Sequence, residues 1–304
     1  MEYHRPVLLE ESVDALAIKP DGVYVDVTFG GGGHSALILS KLTTGKLYSF
    51  DQDSDAEEQS KKLEGPNFQF VRANFRDLKK YLRLHRVKEV DGILADLGVS
   101  SHQFDEASRG FSTRFDGPLD MRMNYEHGDS AKDVVADYSE EQLHRMFGIY
   151  GEVKNARTLA RTIVEQRIRK PIETIGDFKQ AIRSCTPKGK ENKYLAQVFQ
   201  ALRIEVNDEM KALEEMLVQA AEVLKPGGRL SVISYHSLED RLVKNFIAKG
   251  KFFGEVEKDL FGNELKPLEA VSRKPIVPTE QELLINSRSR SAKLRIAEKK
   301  ELDD

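Results

Sequence analysis

A glycine loop and the aspartate that follows it are the first features of this sequence whose residue types and spacing could do chemistry. Gly30 to Gly33 come directly after a β-branched stretch, and Asp51 lies further along the chain at the end of another. Glycines let backbone approach a ligand closely, and an acidic residue about 20 positions on can accept hydrogen bonds from both ribose hydroxyls. The pattern predicts a nucleoside cofactor, and both NAD and S-adenosylmethionine fit the loop. A plain tight turn with a solvated Asp51 is the structural alternative.

Two further aspartates lie in or directly after predicted strands. Asp26 comes just before the glycines, where a carboxylate disfavours a nearby pyrophosphate and helps to hold a cationic group. It therefore favours S-adenosylmethionine over NAD. Asp96 ends a later apolar stretch, and ligands of open α/β sheets bind at the carboxyl ends of the strands. The residues from Leu97 to Phe104 are predicted as an active-site loop, and an aspartate that only caps a turn is the alternative.

These residues need a scaffold of strands and helices to position them. The glycine loop is followed by helical periodicity at residues 35–42. Apolar, β-branched stretches predict strands at 23–28, 46–50, 68–71, 92–95 and 229–235. At 292–296, apolar and basic residues alternate, which predicts a strand with one solvent-facing side. Strands that alternate with helices predict a parallel sheet with helices on both faces.

A long stretch without strand signals interrupts this alternation. Between about residues 130 and 224, apolar residues recur with helical spacing, and Ser139 with Gln142 forms a capping-box pattern. We therefore predict an α/β fold with an inserted all-helical domain. The predicted cofactor-binding domain is 1–112 and 206–304, and the predicted helical insertion is 113–205, which we expect to recognise the substrate.

The composition indicates a globular protein. The chain has 304 residues, of which 39% are hydrophobic and 32% are charged, and no apolar run approaches the roughly 18 residues of a membrane span. The first apolar run is too short for a secretory signal, so we expect a cytoplasmic protein. One cysteine and seven histidines without zinc-ligand spacing predict neither a disulfide nor a structural metal.

Charge is balanced over the whole chain and concentrated locally. The net charge is −3, from 47 Lys and Arg against 50 Asp and Glu, so any phosphate-binding surface must be a local patch. One basic patch, at 157–170, lies on a predicted helix and could equally be a solvated face. In the second patch, at 271–300, the residues that we expect to contact substrate phosphates are Arg288, Arg290, Lys293 and Arg295.

Long motifs run through the chain in a fixed order. They are His4-Arg5-Pro6-Val7-Leu8-Leu9, Asp26-x-Thr28-Phe29-Gly30-Gly31-Gly32-Gly33-His34-Ser35, Asp96-Leu97-Gly98-Val99-Ser100-Ser101, Arg109-Gly110-Phe111-Ser112, the stretch from Gly117 to Met123, Phe199-Gln200-Ala201-Leu202-Arg203-Ile204-x-Val206-Asn207, Ser234-x-His236-Ser237-Leu238-Glu239-Asp240-Arg241 and Arg288-Ser289-Arg290-Ser291-Ala292-Lys293-Leu294-Arg295. In these motifs the sequence resembles the bacterial RsmH (MraW) family. Several of them are long and rare, which makes chance an insufficient explanation.

The resemblance implies a fold, an activity and a set of contacts. The implied fold is that of a class I S-adenosylmethionine-dependent methyltransferase, which is Rossmann-like. The implied reaction methylates the exocyclic N4 of a cytidine, number 1402, in the decoding region of 16S rRNA in the small (30S) ribosomal subunit, without a metal or a membrane. The implied contacts with S-adenosylmethionine are Gly32, Gly33, His34, Asp51, Phe75, Asp96 and Gln103.

Asp96 is the candidate catalytic residue for this implied reaction. A carboxylate that accepts an amine N–H localises the lone pair of a weakly nucleophilic amine. His236 is a second candidate, which could touch substrate or orient Asp96, and a histidine that satisfies local backbone is equally compatible with the sequence. A C5-cytosine methylase would instead need a cysteine nucleophile, and we interpret Cys185, inside the helical stretch, as structural.

The sequence departs from the family pattern at two places. Tyr235 stands where the family has phenylalanine, and residues 192–197 replace a His-Pro-Ala-Thr-Arg-like stretch. The second departure concerns the substrate side of the helical insertion. Residues 97–99 also lack the Pro-Pro-aromatic run that many amino-methyltransferases use, so a stacking surface must come from elsewhere. The candidates, each of which could instead be a core residue, are Phe104, Phe111 and Tyr235.

Two other functions fit parts of the sequence. A nucleotide-dependent oxidoreductase could use the same sheet and loop, although no Tyr-x-x-x-Lys or catalytic histidine pair stands near the strand ends. A non-catalytic RNA-binding or assembly factor could have kept the cofactor fold, although the complete set of cofactor residues argues against it. A comparison of S-adenosylmethionine binding with NAD binding distinguishes the methyltransferase from the oxidoreductase. Methyl transfer to the small subunit distinguishes it from a non-catalytic factor.

Overall fold

The computed structural model describes residues 6–63 and 65–301. His4 and Arg5, which open the first motif, lie outside the described residues. The chain divides into two compact units. One contains the described residues up to Gly98 together with those from Met210 onward, and the other is Val99–Glu209.

Seven strands in the described residues form one sheet. They are β1 (Val23–Asp26), β2 (Lys46–Asp51), β3 (Phe68–Arg72), β4 (Val90–Asp96), β5 (Leu224–Ser234), β6 (Leu268–Ala270) and β7 (Lys293–Lys299). Their order is β3-β2-β1-β4-β5-β7-β6, and β1 to β5 are parallel, whereas β7 is antiparallel to both β5 and β6. The chain adds β2 and β3 on one side of β1 and then β4 and β5 on the other, so the strand order reverses between β1 and β4. Open α/β sheets bind their ligands at such a point. The predicted Rossmann-like α/β fold is confirmed.

The described residues form thirteen α-helices. They are α1 (Leu9–Asp14), α2 (Gly33–Ser40), α3 (Ser54–Ser60), α4 (Leu78–Leu84), α5 (Ser101–Asp105), α6 (Ala131–Asp137), α7 (Glu140–Tyr150), α8 (Ala156–Arg169), α9 (Ile175–Ala181), α10 (Glu191–Val206), α11 (Glu209–Val223), α12 (Ser237–Lys249) and α13 (Glu280–Ile285). None of the helices in these residues combines the length and the apolar character needed to cross a bilayer.

Apolar side chains cover both faces of the sheet. In β4, Ile93 packs in one cluster with residues of α4, α11 and α12, and the next residue, Leu94, packs in another with residues of α1 and α2. Successive strand residues point to opposite faces, so these two clusters lie on the two sides of the sheet. Because both sides are buried, central strands such as β4 carry apolar runs rather than an alternating pattern, which is why they could be predicted from those runs. In β7 burial alternates over the first residues, in line with the alternation that predicts it.

The predicted strands are all present, with ends that differ by up to three residues and a larger difference at the start of β5. β5 begins at Leu224 rather than at residue 229, because Leu224 pairs with Val90 before an irregularity carries the ladder on to Gly92 and Arg229. The helix before it ends at Val223, as the following Lys-Pro-Gly-Gly sequence indicates. β6 carries no sequence signal, since only the first of its three residues is buried.

The unit Val99–Glu209 is helical and closes around its own core. Its buried residues include Leu143 and Phe147 from α7, Leu159 and Ile163 from α8, and Phe199 from α10. Their spacing is the helical stripe expected for one buried face. The predicted capping box is present at the start of α7, where the Ser139 side chain accepts from the backbone of Gln142 and the Gln142 side chain accepts in return. The predicted all-helical insertion is confirmed.

The boundaries of the two units differ from the predicted ones at 113 and 205. Residues 99–112 belong to the helical unit, because Arg109 donates from Nη2 to the carbonyls of Arg122 and Met123. Asn207 clamps the same loop: its Oδ1 accepts from Met123 N, and its Nδ2 donates to Met121 O at 2.8 Å. The helical unit is therefore longer at both ends than its periodicity shows.

Candidate active site

Three aspartates end three neighbouring strands of the sheet. Asp26 ends β1, Asp51 ends β2 and Asp96 ends β4. β1 pairs in parallel with both of the other strands, so the three carboxyl groups come to the same edge. Thr28 joins two of them, since its N–H donates to Asp26 Oδ1 at 3.0 Å and its hydroxyl accepts from the Asp96 N–H at 2.6 Å.

The glycine loop between β1 and α2 brings backbone close to Asp51. Gly30 donates its N–H to Asp51 Oδ2 at 2.8 Å. Gly32 has a φ of +81°, and a Cβ atom there would lie 2.7 Å from the Phe29 ring. Both its conformation and its surroundings therefore require glycine. As the N-cap of α2, Gly32 leaves the first N–H groups of that helix without a side-chain cap, which suits an anionic or polar ligand group.

Asp51 is an acceptor that the loop encloses. Besides the bond from Gly30, its Oδ1 accepts from the N–H of Asp53 at 3.0 Å. Burial raises the pKa of Asp51 to about 6, against the lowering effect of these two bonds. An ionised carboxylate offers about four lone-pair sites, so acceptor capacity remains for ligand hydroxyls. The arrangement suits the predicted ribose contact.

Asp26 fastens the glycine loop to the sheet. It is fully buried, and its Oδ2 accepts from the Ser35 hydroxyl at 2.7 Å, while the same hydroxyl lies 2.8 Å from that of Ser49. Burial raises the pKa of Asp26. These bonds give the residue a structural role at the start of α2, and its predicted help in holding a cationic cofactor group stays a prediction.

Asp96 is held by two hydrogen bonds and faces a histidine. Its backbone N–H is bound by Thr28, its Oδ1 accepts from the Tyr235 hydroxyl at 2.6 Å, and its Oδ2 lies 3.8 Å from His34 Nδ1. Burial raises the pKa of Asp96 to about 6, and the neighbouring imidazole and tyrosine hydroxyl act in the opposite direction. A carboxyl group with these properties can accept a proton near neutral pH.

Gly33 and His34 begin α2 beside Asp96. A Cβ atom at Gly33 would overlap the Pro6 ring, so this glycine lets the start of the chain pack on the loop. His34 is 5% exposed, and its Nε2 lies 3.2 Å from the carbonyl oxygen of Val7. A carbonyl can only accept, so this nitrogen carries the proton. The predicted roles of both residues as cofactor contacts remain predictions.

His236 is the N-cap of α12. Its Nδ1 accepts from the Glu239 N–H at 3.4 Å, and its Nε2 lies 3.1 Å from Glu239 Oε1. Glu239 in turn accepts from the backbone N–H of Tyr235 at 2.8 Å. These capping contacts are a sufficient structural reason for a histidine at position 236. Its catalytic role stays a prediction. Glu239 is 2% exposed, so its role is internal and not that of a surface ion pair.

The two remaining predicted cofactor residues lie in different units. Phe75 follows β3 in a short 3₁₀ turn capped by Asn74, and Asn74 Nδ2 donates to Gln52 Oε1, next to Asp51, at 3.0 Å. This places Phe75 near the predicted ribose residue. Gln103 belongs to the helical unit, where its Oε1 accepts from the Ser100 N–H at 3.0 Å and closes a capping box at α5.

The four predicted phosphate contacts are not equally available. Lys293 lies 3.3 Å from Asp240 Oδ2, and Arg295 Nε donates to Asp240 Oδ1 at 2.7 Å. These two cations hold the Asp240 carboxyl, whose pKa they lower. Arg288 and Arg290 lie in the 3₁₀ turn before β7, and only Arg290 is exposed. We therefore rank Arg290 first among the four, and the substrate role of all of them stays a prediction.

Two cations of the basic patch at 157–170, Arg167 and Lys170, make contacts inside the helical unit. Arg167 donates from Nη1 to the carbonyls of Val135 and Tyr138 at 2.8 and 2.7 Å, and Lys170 lies 2.6 Å from Asp177 Oδ1.

The helical unit has a cavity of about 590 Å³. Its lining consists largely of polar residues from the loop with the Gly117 motif and from neighbouring segments, namely Asp116, Gly117, Pro118, Leu119, Asp120, Arg122, Ser130, Lys132, Asp133, Glu173 and Thr174.

The predicted stacking residues separate into different roles. Phe111 is 6% exposed and belongs to the core of the helical unit, so the core alternative holds for it. Phe104 is partly exposed in the same unit, with the Arg114 guanidinium 5.5 Å from its ring centre. Tyr235 bonds Asp96, a contact that sequence reasoning missed. The departure from phenylalanine at this position is the signal that could have indicated it, because it adds one hydroxyl.

Comparisons with known proteins identify the family. The MraW methylase family matches residues 1–300. A protein named ribosomal RNA small subunit methyltransferase H from Cytophaga hutchinsonii is 59% identical over 297 residues, which are 98% of this chain and 99% of that protein. A protein of the same name from Parabacteroides distasonis is 60% identical over 299 residues, 98% and 97% of the two chains. Among solved structures, an rRNA methylase from Streptococcus thermophilus covers 99% of both chains at 15% identity and a TM-score of 0.41, a likeness too distant to argue from. The chain belongs to the MraW methylase family and is a methyltransferase.

Proposed function

We propose that this methyltransferase uses S-adenosylmethionine to methylate the exocyclic N4 of cytidine 1402 in 16S rRNA, within the small (30S) ribosomal subunit in the cytoplasm. The full-length relatives named as small-subunit rRNA methyltransferases support the substrate class. The observation that supports Asp96 as the amine acceptor is the position of its partly exposed carboxylate at the end of β4, with one oxygen fixed by Tyr235. Its second oxygen is the one we assign to the substrate amine.

The residues at the strand edge suit the proposed cofactor. When bound, S-adenosylmethionine would supply an electrophilic methyl group on a sulfonium, and its sulfur would keep the electron pair of the S–C bond that breaks, as a neutral thioether. Asp51 would accept from the ribose hydroxyls, Phe75 would lie against the adenine, and Gly32 and Gly33 would let backbone approach the amino-acid end. The start of α2, where Gly32 leaves the first N–H groups without a side-chain cap, is the feature that favours a bound ligand over a plain turn.

Asp96 supplies the chemistry that the substrate needs. The N4 amine of cytosine is weakly nucleophilic because its lone pair is delocalised into the ring. Asp96 accepts one amine N–H, which localises the lone pair on nitrogen as the new N–C bond forms. The nitrogen then loses one proton, which Asp96 takes up and passes to solvent. A pKa of about 6 allows Asp96 to be ionised before the reaction and to carry the proton briefly during it.

Positioning supplies much of the remaining rate. A bound amine held in line at about 3 to 3.5 Å from its reaction partner needs no further search. A cytidine that is stacked in the rRNA must first leave the stack. We assign phosphate contacts to the basic residues around Arg290 and substrate recognition to the helical unit.

Transfer of labelled methyl groups to isolated 30S subunits tests the proposed function. The subunits come from a bacterium that lacks its own enzyme of this family, and the nucleosides are then separated by mass spectrometry. We expect N4-methylcytidine at position 1402 with the wild-type protein and much less with Asp96→Asn. Methylation at C5, at another nucleotide or on free 16S rRNA alone would contradict the proposed target. A thermal shift with NAD but not with S-adenosylmethionine would contradict the cofactor.

A further inference from the structure

The hydroxyl of Tyr235 makes a short hydrogen bond to the carboxyl group on which the proposed mechanism depends. Tyr235 Oη donates to Asp96 Oδ1 at 2.6 Å. A hydroxyl that donates to a carboxylate is a charge-assisted donor, which is stronger than a bond between neutral groups. The contact fixes one oxygen of Asp96 and thereby the orientation of the other.

Tyr235 is itself held in place by its neighbours. Its backbone N–H donates to Glu239 Oε2 at 2.8 Å, and Glu239 is fixed by the His236 cap of α12. On the ring side, Gly98 follows β4 with a φ of +98°, and a Cβ atom built there would lie 3.5 Å from the Tyr235 ring. The tyrosine therefore reaches Asp96 from a rigid strand end and does not have to be recruited by the substrate.

We propose that Tyr235 is a positioning residue, which holds Asp96 so that Oδ2 is presented to the amine of the substrate. This inference rests on the proposed function of Asp96. Without the hydroxyl the carboxyl group could rotate about its Cβ–Cγ bond, and the amine would meet it in several orientations. Thr28 holds only the backbone of Asp96, so it cannot replace the tyrosine in this role.

The charged and titratable groups around Asp96 determine in which direction its pKa should change when the Tyr235 hydroxyl is removed. His34 in α2 faces Oδ2, and Asp26 in β1, Glu239 in α12 and Tyr235 after β5 complete the set. His34 and the tyrosine hydroxyl lower the pKa of Asp96, whereas burial and the two acids raise it. Removal of the hydroxyl should therefore raise the pKa of Asp96. Burial and Asp96 keep the pKa of Tyr235 itself well above its ordinary value, so it stays a donor at working pH.

Tyr235→Phe tests the inference, since it removes the hydroxyl and keeps the ring. The first readout needs no substrate: protein with ¹³C-labelled aspartate carboxyls is titrated by NMR, and Asp96→Asn identifies the signal. We expect the Asp96 midpoint to rise by about one pH unit in Y235F, in line with a hydrogen bond to a charged group. Tyr48→Phe, which removes a hydroxyl from a buried tyrosine of β2, should leave the midpoint unchanged.

The second readout is the pH profile of methyl transfer to 30S subunits. In Y235F the acid limb of kcat/KM should move to higher pH, and the plateau rate should fall by about 3- to 30-fold because orientation is lost. Adding Y235F to Asp96→Asn should cause no further shift of the profile. A midpoint that does not move, or one that moves while the plateau rate stays at the wild-type value, overturns the inference. If wild-type protein transfers no methyl group to 30S subunits, the proposed function fails instead.

Discussion

Asp51 and Asp96 are carboxyl groups that the sheet edge removes from water, and this burial raises the pKa of both to about 6. Their pKa in an unfolded chain is near 4. Such groups lower the stability of the folded protein at neutral pH, because ionisation is harder in the folded state than in the unfolded one. Two such destabilising carboxyl groups at the same edge of the sheet indicate a functional site, where the residue type serves the chemistry and not the stability.

The first prediction concerns the stability of the ligand-free protein against pH. A raised pKa means that the folded state binds more protons, so the free energy of unfolding should fall as pH rises from about 4 to about 6. Other carboxyl groups contribute as well, so the difference between wild type and Asp96→Asn isolates one residue. Urea unfolding between pH 4.5 and 7.5 should show a shallower fall in the variant. Parallel curves would contradict the raised pKa of Asp96.

The second prediction separates the catalytic and cofactor roles of Asp96. Asp96→Asn keeps the size of the side chain and one acceptor oxygen for Tyr235 but loses the charge. Methyl transfer should slow by about 10- to 1000-fold, or roughly 1.4 to 4 kcal/mol, with a smaller change in S-adenosylmethionine affinity. Single-turnover methylation at saturating cofactor measures the first quantity, and calorimetry measures the second. Full recovery of the rate at saturation would leave Asp96 with a cofactor role only.

The third prediction concerns Asp51. Asp51→Ala should weaken S-adenosylmethionine binding by about 1.5 to 3 kcal/mol, because the ribose hydroxyls lose a charged acceptor. It also removes the acceptor of the Gly30 N–H, so the loop should become less ordered. Calorimetry measures the affinity, and Asp21→Ala, at an exposed aspartate before β1, is the control. Unchanged affinity in the Asp51 variant would remove this residue from the cofactor site.

At the scale of single elements, the glycine loop shows how conformation and packing can be told apart. Gly32 and Gly227 both have positive φ, +81° and +75°, but only Gly32 has a neighbour where a Cβ atom would lie. Alanine at Gly227 should cost about 1 to 2 kcal/mol of unfolding free energy from backbone strain alone. Alanine at Gly32 should cost more and should also weaken cofactor binding. Equal losses of stability with unchanged affinity would show that the Phe29 contact is unimportant.

Elements with a strong pattern could be predicted, and those fixed by distant contacts could not. The central strands were predictable from apolar runs because both faces of the sheet are buried, β7 from its alternation of apolar and basic residues, and α7 from its capping box. β6 is a short edge strand with one buried residue, so its pairing with β7 decides its existence. In the site, Asp51 and Asp96 lie at the strand ends as predicted, whereas β1 ends at Asp26, two residues before its predicted end. The Tyr235 hydrogen bond was missed because it joins residues far apart in the sequence.

At the scale of the whole molecule, the chain encodes two separate cores. The boundary near residue 112 could not be read from periodicity, because residues 99–112 contain only the short helix α5 and a 3₁₀ turn at Ala107–Arg109. They are joined to the rest of the helical unit by the Arg109 guanidinium, which donates to backbone carbonyls. Asn207 marks the other boundary by bonding the backbone of residues 121 and 123. The predicted cofactor residues Asp51 and Asp96 lie outside this helical unit, whereas Gln103 lies within it.

Excision of residues 99–209, with a short flexible linker in their place, should give a protein that binds S-adenosylmethionine and does not methylate 30S subunits. All seven strands and the three strand-end aspartates remain in it, and the helical core is removed as one piece. Excision of 130–200 alone should unfold, because Phe111 and Leu119 would lose the helices they pack on. Calorimetry measures cofactor affinity, thermal unfolding measures folding, and labelled methyl transfer measures activity on 30S subunits. Methylation at the normal rate without residues 99–209 would remove the helical unit from substrate recognition, and a cooperatively folded protein without cofactor affinity would place part of the cofactor site in that unit.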